Sequence, residues 1–160
     1  MSDYGDSELR QFVVFKLAGE EFGADIANVL EIIRLPEITS IPSTPSLILG
    51  VVNLRGEMIP IFSLHRLFGG DESTTDSDTR VVVVDVEGRN VGLVVDSVSE
   101  VLRLRDDAIS KPPESIGTSA SFYIEGIARV DERLVLLVNM PNLVDIGVEN
   151  EYEIIKNDAA

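Results

Sequence analysis

The chain has 160 residues, of which 44% are hydrophobic, so it can form one domain or two small lobes around a packed core. Its formal charge of −15 repels phosphate backbones and argues against nucleic-acid binding. It has no cysteine for a disulfide or a thiolate site, no signal-peptide pattern, and no apolar run near the ~20 residues of a membrane span. We therefore expect a cytosolic protein that does not insert into membranes.

The first half of the sequence predicts short strands joined by tight turns. In chain order we expect a polar arm at 1–8, strands at 12–17 and 22–26, a strand or one helical turn at 27–35, hairpin strands at 48–54 and 58–64, and a helical turn or strand end at 63–68. Arg55, Gly56 and Glu57 form the corner of that hairpin, because glycine adopts backbone angles that other residues resist. Pro60 cannot donate a ladder hydrogen bond, which predicts an edge strand or a bulge.

The second half predicts further hairpins. Its expected elements are an acidic loop at 69–79, hairpin strands at 80–86 and 90–95 extended by 98–104, a Pro/Ser/Gly loop at 110–121, hairpin strands at 122–130 and 133–138, a short helix at 139–144, and an acidic tail at 148–160. The tail is expected to fray, since chain ends rarely make enough contacts to be ordered.

The two halves resemble each other. Residues 12–35 align with 81–104 at an offset of 69, without a gap and with 8 identities in 24, and the pattern resumes at an offset of 76, where Gly50 matches Gly126. A duplicated half is the simplest explanation. Because small all-β units protect their edges by closing, we predict an all-β fold with short helices, built as two five-stranded barrels that share a hydrophobic seam. Exchange of strands between the halves stays open.

No catalytic or metal-binding constellation is visible. The only histidine, His65, follows an apolar hairpin and is interpreted as a structural or surface residue rather than a metal ligand. The acid pairs at 76/78 and 106/107 lack the ligand spacing of a calcium loop. No phosphate-binding glycine motif or nucleophile elbow occurs. We expect no metal, no cofactor and no enzymatic activity.

A protein-binding patch is the more informative possibility. Glu31 and Arg55 are charged residues flanked by valine, isoleucine and methionine, a composition typical of interfaces. The alternative is that Val29 and Ile32 belong to the core and that Glu31 is exposed to solvent without a binding role. The repeat copies Glu31 as Glu100 but not Arg55, so we expect function where the halves differ.

Four segments in this order carry a family resemblance: FVVFKLAGEEFGADIANVLEIIR, GVVNLRGEMIPIFSL, NVGLVVDSVSEVLRL and FYIEGIARVDERLVLLVNMPNLV. Together they resemble the CheW family of chemotaxis coupling proteins over a domain at 9–147. The resemblance implies two SH3-like five-stranded β-barrels, intertwined in one CheW-like domain. It also implies a non-enzymatic adaptor that links methyl-accepting chemotaxis receptors to the regulatory domain of the histidine kinase CheA in signalling arrays.

The resemblance also implies site residues. The receptor-binding positions that match the family motif or lie beside it are Val29, Glu31, Ile32, Gly50, Arg55, Val91 and Gly92. Gly50 and Gly92 would act through backbone shape. The kinase-binding positions are Lys111, Glu114 and Phe122. Ser115 stands where the family commonly has an aromatic residue, which bears on whether rings of adaptor and kinase can close.

Three alternatives stay open at this point. They are a stand-alone regulatory domain of the kinase, an adaptor paralogue from an array outside chemotaxis, and a small-molecule enzyme in the crevice between barrels. Separately, the acidic, lysine-poor composition suits a salt-rich cytoplasm.

Overall fold

The computed structural model describes residues 9–42, 47–68 and 75–145. The predicted arm at 1–8, the tail at 148–160 and residues 69–74 of the acidic loop lie outside the described residues. The strands are β1 (Leu9–Leu17), β2 (Glu20–Asp25), β3 (Val29–Arg34), β4 (Ile48–Leu54), β5 (Glu57–Ser63), β6 (Arg80–Val86), β7 (Arg89–Val95), β8 (Ser97–Arg105), β9 (Ile109–Ser110), β10 (Ile124–Val130) and β11 (Arg133–Val138). The helices are α1 (Leu64–Phe68) and α2 (Thr118–Tyr123), and residues 140–145 are also helical.

The β4–β5 hairpin has a two-residue corner whose geometry follows from its sequence. Leu54 pairs with Glu57, and the residues between them, Arg55 and Gly56, have φ of 51° and 85°. Positive φ at both corner residues is the type I′ turn, whose twist matches that of the flanking strands. The Asn53 side chain accepts the Gly56 N–H at 2.9 Å and so closes the corner from within.

The strands form two sheets, and each sheet mixes the two halves of the chain. The first has the order β8-β1-β2-β11-β10-β9 and the second the order β3-β6-β7-β5-β4. Strands β1 and β2 of the first half therefore join β8–β11 of the second half, and β6 and β7 join β3–β5. The possible strand exchange is thus realised. The predicted extension of the 80–95 hairpin is wrong, because β8 pairs with β1 in the other sheet.

Each sheet closes into a barrel because the chain that leaves one edge strand, β8 or β3, pairs with the opposite edge of the same sheet. In barrel 1, the first sheet, the chain leaves β8 and returns as β9 to pair with β10 at the opposite edge. In barrel 2, the second sheet, Thr39 exchanges two 2.9 Å hydrogen bonds with Val51 of β4. A Cβ at Gly50 would overlap the Thr39 carbonyl oxygen, and one at Gly126 would lie 2.5 Å from Ile109. Glycine at these repeat-related positions lets the closing segment pass.

Three apolar clusters form the core of the described residues. One occupies the interior of barrel 1 around Phe12 and Leu137, and another fills barrel 2 around Ile61 and Val81. The largest lies between the barrels and includes residues of both sheets, such as Phe15 of β1. This is the predicted shared seam. Most strands are consequently buried on both faces, one toward a barrel interior and one toward the seam.

Two local predictions were inaccurate. Pro60 lies in β5, which has neighbours on both sides, and the sheet irregularity in this hairpin falls on β4 instead. The parallel ladder to β7 begins only at Ile61, so the missing N–H of Pro60 costs no hydrogen bond there. The sequence predicts a strand that begins at Phe122, but Phe122 belongs to α2 and β10 begins at Ile124.

Candidate protein-binding surface

An ion pair joins the corner of the β4–β5 hairpin to β3 at one end of barrel 2. Arg55 donates from Nη2 to Oε2 of Glu31, although the residues are 24 positions apart in sequence. The side chain of Arg55 is 70% exposed and that of Glu31 is 28% exposed. The hydrogen bond from Arg55 to Glu31 raises the pKa of the guanidinium, because it stabilises the charged form. The corner therefore presents a permanent positive charge to solvent.

Strand β3 places apolar side chains beside this pair. Val29 and Ile32 lie opposite Val84 and Val82, which belong to the seam, so they share the seam face of the sheet. Ile32 is 39% exposed, whereas Val29 is partly buried against the seam. The seam thus reaches the surface along β3.

Leu30 is a further exposed apolar residue that sequence reasoning missed. It is 53% exposed and lies within a register shift of the β3–β6 ladder, between Val29 and Glu31. A β-bulge of this kind turns an extra side chain outward, and simple alternation does not reveal it. Met58, which pairs with Asn53 beside the corner, is 61% exposed.

The remaining predicted receptor-binding residues are internal. Val91 is 3% exposed and belongs to the seam. Gly92 is buried in β7, where a Cβ would lie 2.6 Å from Ile61 and 2.8 Å from Val81. Gly50 sits under the closing segment. The structure therefore joins Arg55 to Glu31, which lies on the barrel face of β3, and places Val29 and Ile32 on the seam face of the same strand. Gly50, Val91 and Gly92 lie in the scaffold.

The predicted kinase-binding residues lie in one chain segment of barrel 1. Lys111, Glu114 and Phe122 are all exposed in the segment between β9 and β10. Phe122 is 40% exposed and packs edge-on against Tyr123, with ring centroids 5.3 Å apart. The two predicted surfaces are thus carried by different barrels.

Barrel 1 has its own glutamate–arginine contact, which differs from that of barrel 2. Glu100, the repeat partner of Glu31, accepts a hydrogen bond from Arg133. Arg133 also donates to Glu21 at 3.0 Å and is only 39% exposed. It starts β11, two residues after Asp131, the counterpart of Arg55. One carboxylate therefore binds the more exposed Arg55, while two carboxylates bind Arg133.

Polar groups elsewhere show no comparable grouping. His65 is 5% exposed, and its Nε2 lies 3.1 Å from Asp96 beside a cavity of ≈ 160 Å³. Within residues 9–42, 47–68 and 75–145, no group of three or more histidine, aspartate or glutamate residues could hold a metal ion. The described part of the chain also contains no helix long and apolar enough to cross a membrane.

The family described as the CheW-like domain matches residues 11–147. The chain belongs to the CheW family. A chemotaxis protein CheW from Klebsiella aerogenes is 39% identical to this CheW-family chain over 140 residues, covering 88% of the chain and 84% of the relative. Protein FrzA from Myxococcus xanthus is 29% identical over 137 residues, covering 84% and 85%.

A solved structure supports the same assignment. The scaffolding protein TtCheW from Thermoanaerobacter tengcongensis matches with a TM-score of 0.76 at 36% identity, covering 82% of this chain and 84% of that one. The expected family is confirmed, and so is the fold of two SH3-like subdomains.

Proposed function

We propose that the protein is a non-enzymatic chemotaxis adaptor, which couples methyl-accepting chemotaxis receptors to the histidine kinase CheA in cytoplasmic arrays at the membrane. Membership of the CheW family supports this role, as does a structural relative named as a scaffolding protein. The observation that carries the receptor assignment is the Glu31–Arg55 pair next to exposed Leu30 and Ile32. A fixed charge beside apolar side chains is the usual arrangement of a binding hot spot.

Receptor binding would use β3 and the hairpin corner of barrel 2. A helical receptor tip lays its apolar face against Ile32, beside the partly buried Val29. Arg55 and Glu31 set the register of that helix through charge-assisted hydrogen bonds. Gly50, Val91 and Gly92 shape the barrel under this surface without touching the partner.

Kinase binding would use barrel 1. Lys111, Glu114 and Phe122 offer a cation, a carboxylate and an aromatic ring on one exposed segment, a mixture suited to the regulatory domain of CheA. Because the two surfaces lie on different barrels, one adaptor can hold both partners at once. Binding free energy, rather than chemistry, then connects receptor and kinase.

A second candidate is an adaptor paralogue that serves an array outside chemotaxis. The match to FrzA, a relative not named as a chemotaxis protein, supports this candidate. Complementation of a strain that lacks its chemotaxis adaptor separates the candidates, because only a chemotaxis adaptor restores swarming. It also tests a third, a stand-alone kinase regulatory domain, which would not restore coupling.

The receptor surface is tested by replacing Arg55 with alanine. Calorimetric titration with the hairpin-tip fragment of a receptor from the same organism should show an affinity loss of at least about 10-fold, since hot-spot contacts dominate interfaces. The control is Arg129→Ala, which removes an exposed arginine from barrel 1. Circular dichroism should show an unchanged fold for both variants. Equal receptor affinity of Arg55→Ala and Arg129→Ala would contradict the assignment.

A further inference from the structure

Two arginines face each other at the end of β3 away from the bulge. Arg34 is the last residue of β3 and lies directly opposite Arg80, the first residue of β6. Side chains at directly opposed positions share a face of the sheet, with Cβ atoms about 4.5–5.5 Å apart. Like charges so placed repel each other. This is unexpected in a chain with 28 acidic and 13 basic residues.

The protein holds these guanidinium groups without neutralising them. Arg80 donates from Nη1 to the carbonyl oxygens of Ser77 at 2.8 Å and Thr79 at 2.9 Å, contacts that orient it but supply no counter-charge. Arg34 is exposed, and its guanidinium makes no hydrogen bond or ion pair in the described part of the chain. The carboxylate of Asp76, which lines the same cavity, accepts the Asp78 N–H at 2.8 Å and forms no ion pair with either arginine in the described part of the chain.

A cavity of ≈ 230 Å³ opens beside the two arginines. Its lining includes both of them, Asp76 and the hydroxyl-bearing residues Thr75, Ser77 and Thr79. The Thr79 hydroxyl accepts the Asp76 N–H at 3.1 Å, which leaves its own O–H available to donate. Guanidinium and hydroxyl donors that converge on a cavity match the oxygens of a carboxylate.

The internal repeat shows that the fold does not need this charge pair. Arg103 is the repeat partner of Arg34, and it lies opposite Gln11, the repeat partner of Arg80. Barrel 1 therefore keeps the same register with one cation and one neutral amide. The second arginine belongs to barrel 2 alone, the barrel that carries the Arg55 corner.

We propose that Arg34 and Arg80 bind a carboxylate on the docked receptor helix, which rests on the proposed receptor-binding role of β3. Arg34 follows Ile32 by two residues on the same face, about 6.6 Å along the strand. One helical turn advances about 5.4 Å. The partner helix therefore places an apolar residue on Ile32 and an acidic residue about one turn away on the arginine pair.

A tethered carboxylate fits better than a free anion. Arg34 is open to water, so an isolated small anion there would be weakly held and screened by salt. A carboxylate on a helix already docked at Ile32 binds at high effective concentration. The exposed Ile32 side chain and the arginine pair are thus parts of one surface.

The test compares four proteins in calorimetric titrations with the receptor hairpin-tip fragment: wild type, Arg34→Gln, Arg34→Glu and the control Arg103→Gln. We expect affinity losses of about fivefold for Arg34→Gln and more than about 20-fold for Arg34→Glu, and less than about twofold for the control. The melting temperature of Arg34→Gln should equal or exceed that of wild type, since the substitution relieves repulsion. Changing the facing receptor acid to lysine should restore binding to Arg34→Glu.

The outcomes separate this site from the proposed function. Equal affinities of Arg34→Gln and Arg103→Gln, with Arg55→Ala still weak, would overturn the carboxylate site and leave receptor binding intact. Absence of receptor binding by wild type would overturn both. A titration with inorganic phosphate, followed by the Thr79 and Arg80 amide resonances, tests the free anion. Saturation at low millimolar phosphate, with receptor affinity independent of Arg34, would also overturn the proposal.

Discussion

Arg55 combines a strained backbone with an accessible charge, and only the second property is specific to it. Its φ of 51° is matched by Ala18 at 52° and Glu87 at 55°, which occupy the same position in two other hairpin turns. The left-handed conformation therefore follows from the turn type rather than from function. What distinguishes Arg55 is its 70% exposure and its single carboxylate partner, in contrast to Arg133 with two.

Barrel closure gives a prediction about Gly50. Replacing it with alanine should lower the free energy of unfolding by more than about 2 kcal/mol, because the new Cβ overlaps the Thr39 carbonyl oxygen and part of the closing segment must move. The control is Gly88→Ala, where φ is 83° but no atom lies within 4 Å of the added Cβ, so the expected loss is about 1 kcal/mol. Urea unfolding measures both. Equal losses would show that the Thr39 contact does not constrain the barrel.

At the candidate site, charge makes residues visible in the sequence, whereas burial does not. Glu31 and Arg55 stood out because charged residues were flanked by apolar ones. The exposure of Leu30 does not follow from alternation, because a bulge causes it. Val91 was expected to line the receptor groove, yet it is 3% exposed. Strands buried on both faces lack the alternation of polar and apolar residues, so their sequence does not show which side chains reach the surface.

At the scale of elements, local signals located the hairpins but not their partners. The predicted strands at 48–54 and 58–64 agree with Ile48–Leu54 and Glu57–Ser63 to within one residue. Turn chemistry fixes such boundaries locally. The pairing of β8 with β1 joins segments about 90 residues apart, and β1 and β6, the two possible partners, are repeat copies of each other. Because the halves are similar, the sequence does not show which half supplies the partner of β8.

Strand exchange predicts that neither half of the chain folds alone. A fragment of residues 1–70 lacks the β8–β11 strands that complete barrel 1, and a fragment of 71–160 lacks the β3–β5 strands that complete barrel 2. Separately expressed fragments should give unfolded or aggregated chains by circular dichroism and NMR. An equimolar mixture should recover the native spectrum. Cooperative native-like unfolding of either fragment by itself would contradict the exchanged topology.

At the scale of the whole molecule, the charge of −15 sets the response to salt. If the acidic surface suits a salt-rich cytoplasm, the melting temperature should rise steeply with KCl up to molar concentrations. Simple screening is nearly complete at about 0.2 M, where the Debye length is shorter than most charge separations. Thermal unfolding followed by fluorescence-dye binding across a KCl series checks this. A flat response above about 0.2 M would reject salt adaptation.

The proposed coupling role rests on two barrels with separate candidate surfaces. The seam holds them together, since its cluster draws residues from both sheets. The proposed receptor surface on barrel 2 comprises Arg55 and the exposed residues of β3, and the proposed kinase surface on barrel 1 is the segment between β9 and β10. An adaptor built this way needs no moving part to hold two partners.

The most direct test is co-purification of the full-length protein with a receptor hairpin-tip fragment and CheA from the same organism. We predict one ternary complex in size-exclusion chromatography. Arg55→Ala should remove the receptor from it and leave the kinase bound. Mutually exclusive binding of receptor and kinase, or binding of neither, would contradict the account.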